Sequence, residues 1–160
     1  MNKLEIQDLK KYYPTADGIL HAVDGVSLHI RAGQTVGIVG ESGCGKSTLG
    51  KTILRLTEPT GGSVMMDDVE ITKLSPRELK RYRTRMQMIF QDPFSSIDPR
   101  MTVSQLIAEP FYIHRITRSK AEISEKVRSL METVGLDTRF ENSYPHELDG
   151  GRRQRIGVAK

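Results

Sequence analysis

The sequence predicts an α/β fold organised around a phosphate-binding loop, and three observations predict it. The run Gly40-Glu41-Ser42-Gly43-Cys44-Gly45-Lys46-Ser47-Thr48 satisfies the pattern G-x-x-x-x-G-K-[ST] at every required position. Directly before it, Gln34-Thr35-Val36-Gly37-Ile38-Val39 is short, apolar and β-branched, which predicts a buried strand. Directly after it, Leu49, Ile53 and Leu54 recur at helical spacing. Strand, glycine-rich loop and helix in that order are the context that gives the motif its meaning; a chance glycine turn would carry neither flank.

The chemistry of the loop follows from its residue types. Gly40, Gly43 and Gly45 let the backbone close around phosphate oxygens with N–H groups turned inward. The start of the following helix adds partial positive charge. Lys46 is expected to reach the β- and γ-phosphates of a nucleoside triphosphate, and the Ser47 hydroxyl to hold Mg²⁺. Glu41, Ser42, Cys44 and Thr48 complete the loop that would touch the nucleotide.

Leu4 to Leu9 alternates apolar and polar residues, predicting a half-buried strand that gives way at Tyr12, Tyr13 and Pro14 to a polar turn through Asp17-Gly18. Ile19 to Ile30 predicts a second strand, turned at Ala32-Gly33 into the loop strand. Beyond the first helix, Pro59-Thr60-Gly61-Gly62 breaks the chain. Ser63–Met66 and Val69–Ile71 then read as two short strands around Asp67-Asp68. Ser75-Pro76-Arg77-Glu78 starts a helix with a capping box, and Met86–Phe90 is a further strand candidate ending on Gln91. After the loop around Pro93 and Pro99 the pattern turns helical. Thr102 with Gln105 and Ser119 with Glu122 predict two more capping boxes. Ile123, Val127, Leu130, Met131 and Val134 form one apolar face, which Gly135 stops.

Composition narrows the function. The 160 residues suit one domain, and a net charge of +4 is only mildly basic. Aromatic residues are few and do not interleave with the arginines at 152, 153 and 155, so no nucleic-acid partner is expected. A single cysteine excludes an internal disulfide and suits a reducing compartment. No apolar run approaches the ~18 residues of a membrane span, and a carboxylate at Glu5 interrupts any signal peptide. A soluble, cytoplasmic chain is expected.

With these residues in view, the chain resembles the nucleotide-binding subunit of ABC transporters, in particular the oligopeptide, dipeptide and nickel importers. Residues 40–48 resemble that family's Walker A loop. Ile89-Phe90-Gln91-Asp92-Pro93, followed by Ser95 and Pro99–Val103, resembles its Q-loop region. Tyr144–Ala159, containing Leu148-Asp149-Gly150-Gly151-Arg152, resembles its signature region, and Tyr13 falls where the family stacks an aromatic on adenine, with Tyr12 a close second. Taken alone, either tyrosine reads as packing and Gln91 as a capped strand end; their ligand roles come from the resemblance. It implies a P-loop NTPase of ABC type, with a β subdomain and P-loop core part over 1–97 and a helical subdomain over 98–160, the later core strands missing.

The resemblance further implies ATP and Mg²⁺ as ligands, with Gln91 contacting the metal and the attacking water. Asp149, Gly150 and Gly151 would complete the ATP site of a second ATP-binding subunit in a head-to-tail dimer. ABC permease subunits would be the membrane partners, placing the chain on the inner face of the cell membrane. Two departures stand out. Asp149 and Arg152 occupy positions where the family shows serine and glutamine. An ionised carboxylate cannot donate to a γ-phosphate and repels it, although Arg152 offsets that charge. In addition, no apolar strand ending in Asp-Glu follows the signature, so Walker B and the switch histidine are lacking and residues 1–160 alone are expected not to hydrolyse ATP. The leading expectation is an importer ATPase. A non-hydrolysing nucleotide-binding fragment and a P-loop phosphotransferase are the alternatives.

Overall fold

The structure, a computed structural model, describes residues 2–90, 97–117 and 119–160. It comprises two units, Met1–Gln87 and Met88–Lys160.

The first unit is a twisted antiparallel sheet carrying two helices. Strands β1 (Asn2–Thr15) and β2 (Gly18–Arg31) pair from Asn2↔Arg31 to Thr15↔Gly18. On the other side of β1 runs β3 (Gly61–Met66), with Ile6 opposite Val64, and β4 (Val69–Glu70) extends the order to β2-β1-β3-β4. Asp67 and Asp68 turn β3 into β4 with φ of 45° and 64°. A two-residue hairpin with both φ positive matches the twist of its strands, and Asp is among the residues that tolerate it.

Ile6 and Leu9 are both buried although three residues apart. A strict two-residue alternation would place them on opposite faces. A register shift between them, with Asp8 at φ 46°, restores Leu9 to the core face. Gly62 answers that bulge: a Cβ there would lie 2.3 Å from the Asp8 carbonyl oxygen. Helix α1 (Lys46–Ile53) sets Leu49 against this core. Just past the C-terminus of α1, Arg83 donates to Leu54 O and, at 3.0 Å, to Arg55 O. Arg83 follows helix α2 (Pro76–Tyr82), which opens on the predicted Ser75/Glu78 capping box.

The second unit packs α3 (Val103–His114), α4 (Lys120–Thr133) and α5 (Gly150–Ala159) around Leu106, Ile107, Ile123, Met131 and Ile156. Each such fully buried aliphatic side chain stabilises the unit by roughly 1.5–3 kcal/mol. The Thr102/Gln105 capping box forms as predicted. At Ser119 only half of the box forms. Its hydroxyl accepts the Glu122 N–H, while the Glu122 carboxylate takes the Thr117 hydroxyl at 2.6 Å instead. Gly135 follows α4 with φ 68°, the left-handed stop read from the sequence.

Two predicted strands are absent. Residues 34–39 carry no strand pairing, and Val39 is 96% exposed. Residues 86–90 are likewise unpaired, with Ile89 69% exposed, although Met86 is buried. Neither segment has a hydrogen-bonding strand beside it among the described residues. A strand exists only as part of a ladder, so β propensity without a neighbour leaves an extended segment. Ile71, read as the end of a strand, lies instead in a 3₁₀ turn over Ile71–Lys73.

Candidate nucleotide-binding site

The phosphate loop is formed even though the strand before it is not. Cys44 N–H turns back to the Glu41 carbonyl at 3.4 Å, and α1 starts on Gly45 with φ 91°. That backbone conformation is open to glycine and strained for other residues. A Cβ at Gly45 would also lie 2.1 Å from the carbonyl oxygen of Ala22 in β2. Gly45 therefore serves two constraints: the turn into the helix and close contact with the hairpin. Gly40 is confined as well, since a Cβ there would lie 2.8 Å from Cys44 Sγ.

No side chain caps α1, and its first turn contains no acidic residue. Among the described residues the N–H groups of Lys46, Ser47 and Thr48 have no backbone acceptor. These are the orphan donors that make a helix start receptive to an anion. Lys46 is folded onto the loop: its ammonium donates to the carbonyls of Gly40, at 2.9 Å, and Glu41, and lies 3.5 Å from Cys44 Sγ. The Ser47 side chain is exposed. The donor set therefore fits a polyphosphate: unpaired N–H groups, an ammonium turned toward the loop and an accessible hydroxyl. No group of three or more His, Cys, Asp or Glu side chains suited to a metal occurs among the described residues. The Ser47 hydroxyl remains able to hold Mg²⁺, an ion commonly bound by few protein groups together with substrate phosphates.

Tyr13 lies within β1, opposite Leu20, with the Lys11 ammonium 4.7 Å from its ring centroid. Tyr12 is committed elsewhere. Its ring stacks on His21 at 4.0 Å, and its hydroxyl donates to Asp24, which also lies 3.4 Å from His21 Nδ1. Asp24 is held below the usual carboxylate range, first by the Tyr12 hydroxyl and then by His21. Of the two tyrosines, Tyr13 keeps its hydroxyl free of any such partner. Gln91 lies outside the described residues.

In the second unit, α5 starts on Asp149, whose Oδ1 accepts the Arg152 N–H at 2.9 Å. Arg152 Nη1 lies 3.1 Å from Asp149 Oδ2. The Arg152 backbone N–H, aided by the arginine charge, lowers the Asp149 pKa. Gly150 is unobstructed: an added Cβ would meet nothing within 4 Å. Ala22 and Arg83, which meet the loop and the far end of its helix, carried no signal in the sequence. Ala22 acts through its carbonyl, and Arg83 through carbonyls 29 and 28 residues away in the chain.

Comparison with known proteins places these observations. The ABC transporter family matches residues 23–160. The oligopeptide transport ATP-binding protein OppF of Bacillus subtilis is 48% identical over 98% of this chain and 52% of its own length. AppF of the same organism, also named an oligopeptide transport ATP-binding protein, is 47% identical over 98% of this chain and 50% of its own. The chain thus spans about half the length of the curated relatives it matches. Among solved structures, the ATP-binding cassette MJ0796, in a dimeric post-hydrolysis state bound to ADP and Pi, aligns with a TM-score of 0.87. The identity is 30%, over 98% of this chain and 67% of that one. CbiO1 of Clostridium perfringens, part of the ABC transporter complex CbiONQ, aligns with a TM-score of 0.77 at 25% identity, over 99% of this chain and 60% of that one. With its sheet, phosphate loop and helical unit all matched, the chain belongs to the ABC transporter family.

Proposed function

We propose that this chain is the nucleotide-binding part of an importer subunit that couples ATP binding and hydrolysis to the uptake of peptides or similar small solutes. The observation that carries the reading is the uncapped start of α1. The orphan N–H groups of Lys46, Ser47 and Thr48 adjoin an ammonium held by neutral loop carbonyls and the Cys44 sulfur, from which a stronger acceptor can draw it away. The names of OppF and AppF support the peptide class, and the dimeric state of MJ0796 supports pairing of two subunits.

In this reading Lys46 leaves Gly40 and Glu41 for the β- and γ-phosphates, and residues 40–48 wrap them. Ser47, with Gln91, holds Mg²⁺, whose charge offsets that of the phosphates. Tyr13 stacks on adenine, and Gln91 orients the attacking water. Asp149, Gly150 and Gly151 face the nucleotide of a second subunit, while membrane permease subunits dock the assembly on the inner face of the membrane. Residues 1–160 hold no apolar strand ending in Asp-Glu, so binding without turnover is expected of them alone.

Equilibrium binding of a fluorescent ATP analogue, paired with phosphate release, tests this. Binding that vanishes on adding unlabelled ATP, with no phosphate released, is expected. Phosphate release by residues 1–160 that Lys46→Ala abolishes would overturn the assignment of catalytic groups, and unchanged binding in Lys46→Ala would overturn the site itself.

A further inference from the structure

Asp149 and Arg152, one helical turn apart, are joined in two ways at the head of α5. Backbone N–H to Oδ1 is 2.9 Å, and Nη1 to Oδ2 is 3.1 Å. The guanidinium is held from a further direction. Its central carbon is 4.7 Å from the ring centroid of Phe140, and the same ring carries Arg139 at 4.8 Å. Arg139 has its own acid, Asp137, at 3.5 Å. Phe140 packs against the core of the unit, so one anchored ring seats two acid–arginine pairs. A planar guanidinium held by a carboxylate on one side and a ring on another has little freedom left. The Asp149 side chain is nevertheless 60% exposed, beside the unobstructed Gly150.

We infer that Arg152 is a positioning residue: seated on Phe140, it pins the Asp149 carboxylate as the cap of α5 and cancels its charge toward the phosphates of a nucleotide held by a second copy of the chain. The inference rests on the dimer proposed above. It gives the two departures in the signature region one explanation. The aspartate does the capping that a serine would do, and the arginine removes the charge that a serine would not have brought. The two substitutions are therefore coupled, and each is harmful mainly without the other. Arg152→Gln leaves the cap in place but exposes a bare carboxylate. Asp149→Ser with Arg152→Gln removes both charges and keeps a capping hydroxyl.

The test uses the full-length chain in four forms: wild type, Arg152→Gln, Asp149→Ser/Arg152→Gln, and Phe140→Leu. One readout is the titration of the Gly150 and Gly151 amide resonances with inorganic tripolyphosphate in a Lys46→Ala background, which removes the loop lysine. The other is sedimentation with a non-hydrolysable MgATP analogue, with Lys46 intact. Arg152→Gln is expected to weaken both by about fivefold, the upper range for exposed charges. The double variant is expected to return to wild type or above, and Phe140→Leu to fall between. Arg152→Gln equal to wild type overturns the inference. So does a double variant as weak as Arg152→Gln, since Arg152 would then contact phosphate itself. Wild type that shows no tripolyphosphate response at Gly150 and Gly151 overturns it too. The expected order of variants with tripolyphosphate, but no nucleotide-dependent association of wild type, overturns the dimer and leaves the charge pairing intact.

Discussion

The two glycine-rich helix starts of this chain are built in opposite ways. Helix α1 begins on a left-handed Gly45 with no side-chain cap and no acidic residue in its first turn, and its first residue is a lysine folded onto the loop carbonyls. Helix α5 begins on Asp149, which caps its own helix and is paired with Arg152. Both present glycines and backbone donors, so sequence alone makes them look alike. One leaves its donors free for a ligand; the other has already spent one on a carboxylate. An anion site thus depends less on glycine content than on what the neighbouring side chain does with the first-turn N–H groups.

The largest effect that would break this comparison is at Gly45. Gly45→Ala must accept φ near 91° and a Cβ pressed into the Ala22 carbonyl. A loss of about 3 kcal/mol or more is expected, together with ATP binding. Thermal unfolding and analogue binding on the same sample check it, and a variant that keeps wild-type stability would show that α1 can start without the left-handed turn. Next is Lys46→Ala, which removes one charge-assisted contact to phosphate and leaves the fold alone. An affinity loss of about tenfold to a hundredfold is expected, with an unchanged melting temperature. Equilibrium titration of a fluorescent analogue measures it.

Asp149→Ala sharpens the other side. The Arg152 N–H loses its acceptor, and melting of the helical unit should fall by a few degrees, whereas Asp149→Ser should restore most of it. Scanning both variants by circular dichroism separates the cap from the charge. The smallest effect is in acid. The folded state lowers the Asp149 pKa, so its contribution is complete above the ordinary aspartate value of about 3.9 and is lost as pH falls through the depressed folded value. Asp98 follows the same sign, held near 2 chiefly by the Arg100 side chain. Acid unfolding of Asp149→Ser should be less steep than that of wild type. Identical acid curves would mean that the cap does not discriminate between protonation states.

The same comparison shows what was legible. Helix starts could be read because capping is local: Ser75 with Glu78, and Thr102 with Gln105, satisfy donors within one turn. The phosphate loop was legible for the same reason, since its glycines, lysine and serine act within a few residues of each other. Segments 34–39 and 86–90 have strand composition just as clear, yet neither is a strand here. A strand is stabilised by its neighbours, and composition says nothing about whether a neighbour is there. The bulge at Asp8 was invisible for a related reason: its cause is the burial of Ile6 and Leu9 on one face together, with Gly62 admitting the displaced backbone.

By itself, then, the sequence determined the paired strands of the hairpin, the helix starts at Ser75 and Thr102 with their caps, the phosphate-binding loop and the resemblance that led to the family. Tertiary structure decided that Tyr12 is committed to His21 and Asp24 while Tyr13 is not, and that Gly45 rests on Ala22. It also set Arg83 to close the far end of α1 and seated Arg152 on Phe140. The division has one physical cause. Caps, turns and phosphate loops are made by residues within a turn or two of each other, whose proximity the chain guarantees; ring stacks, carbonyl contacts and strand ladders join residues whose proximity only the folded sheet and core create.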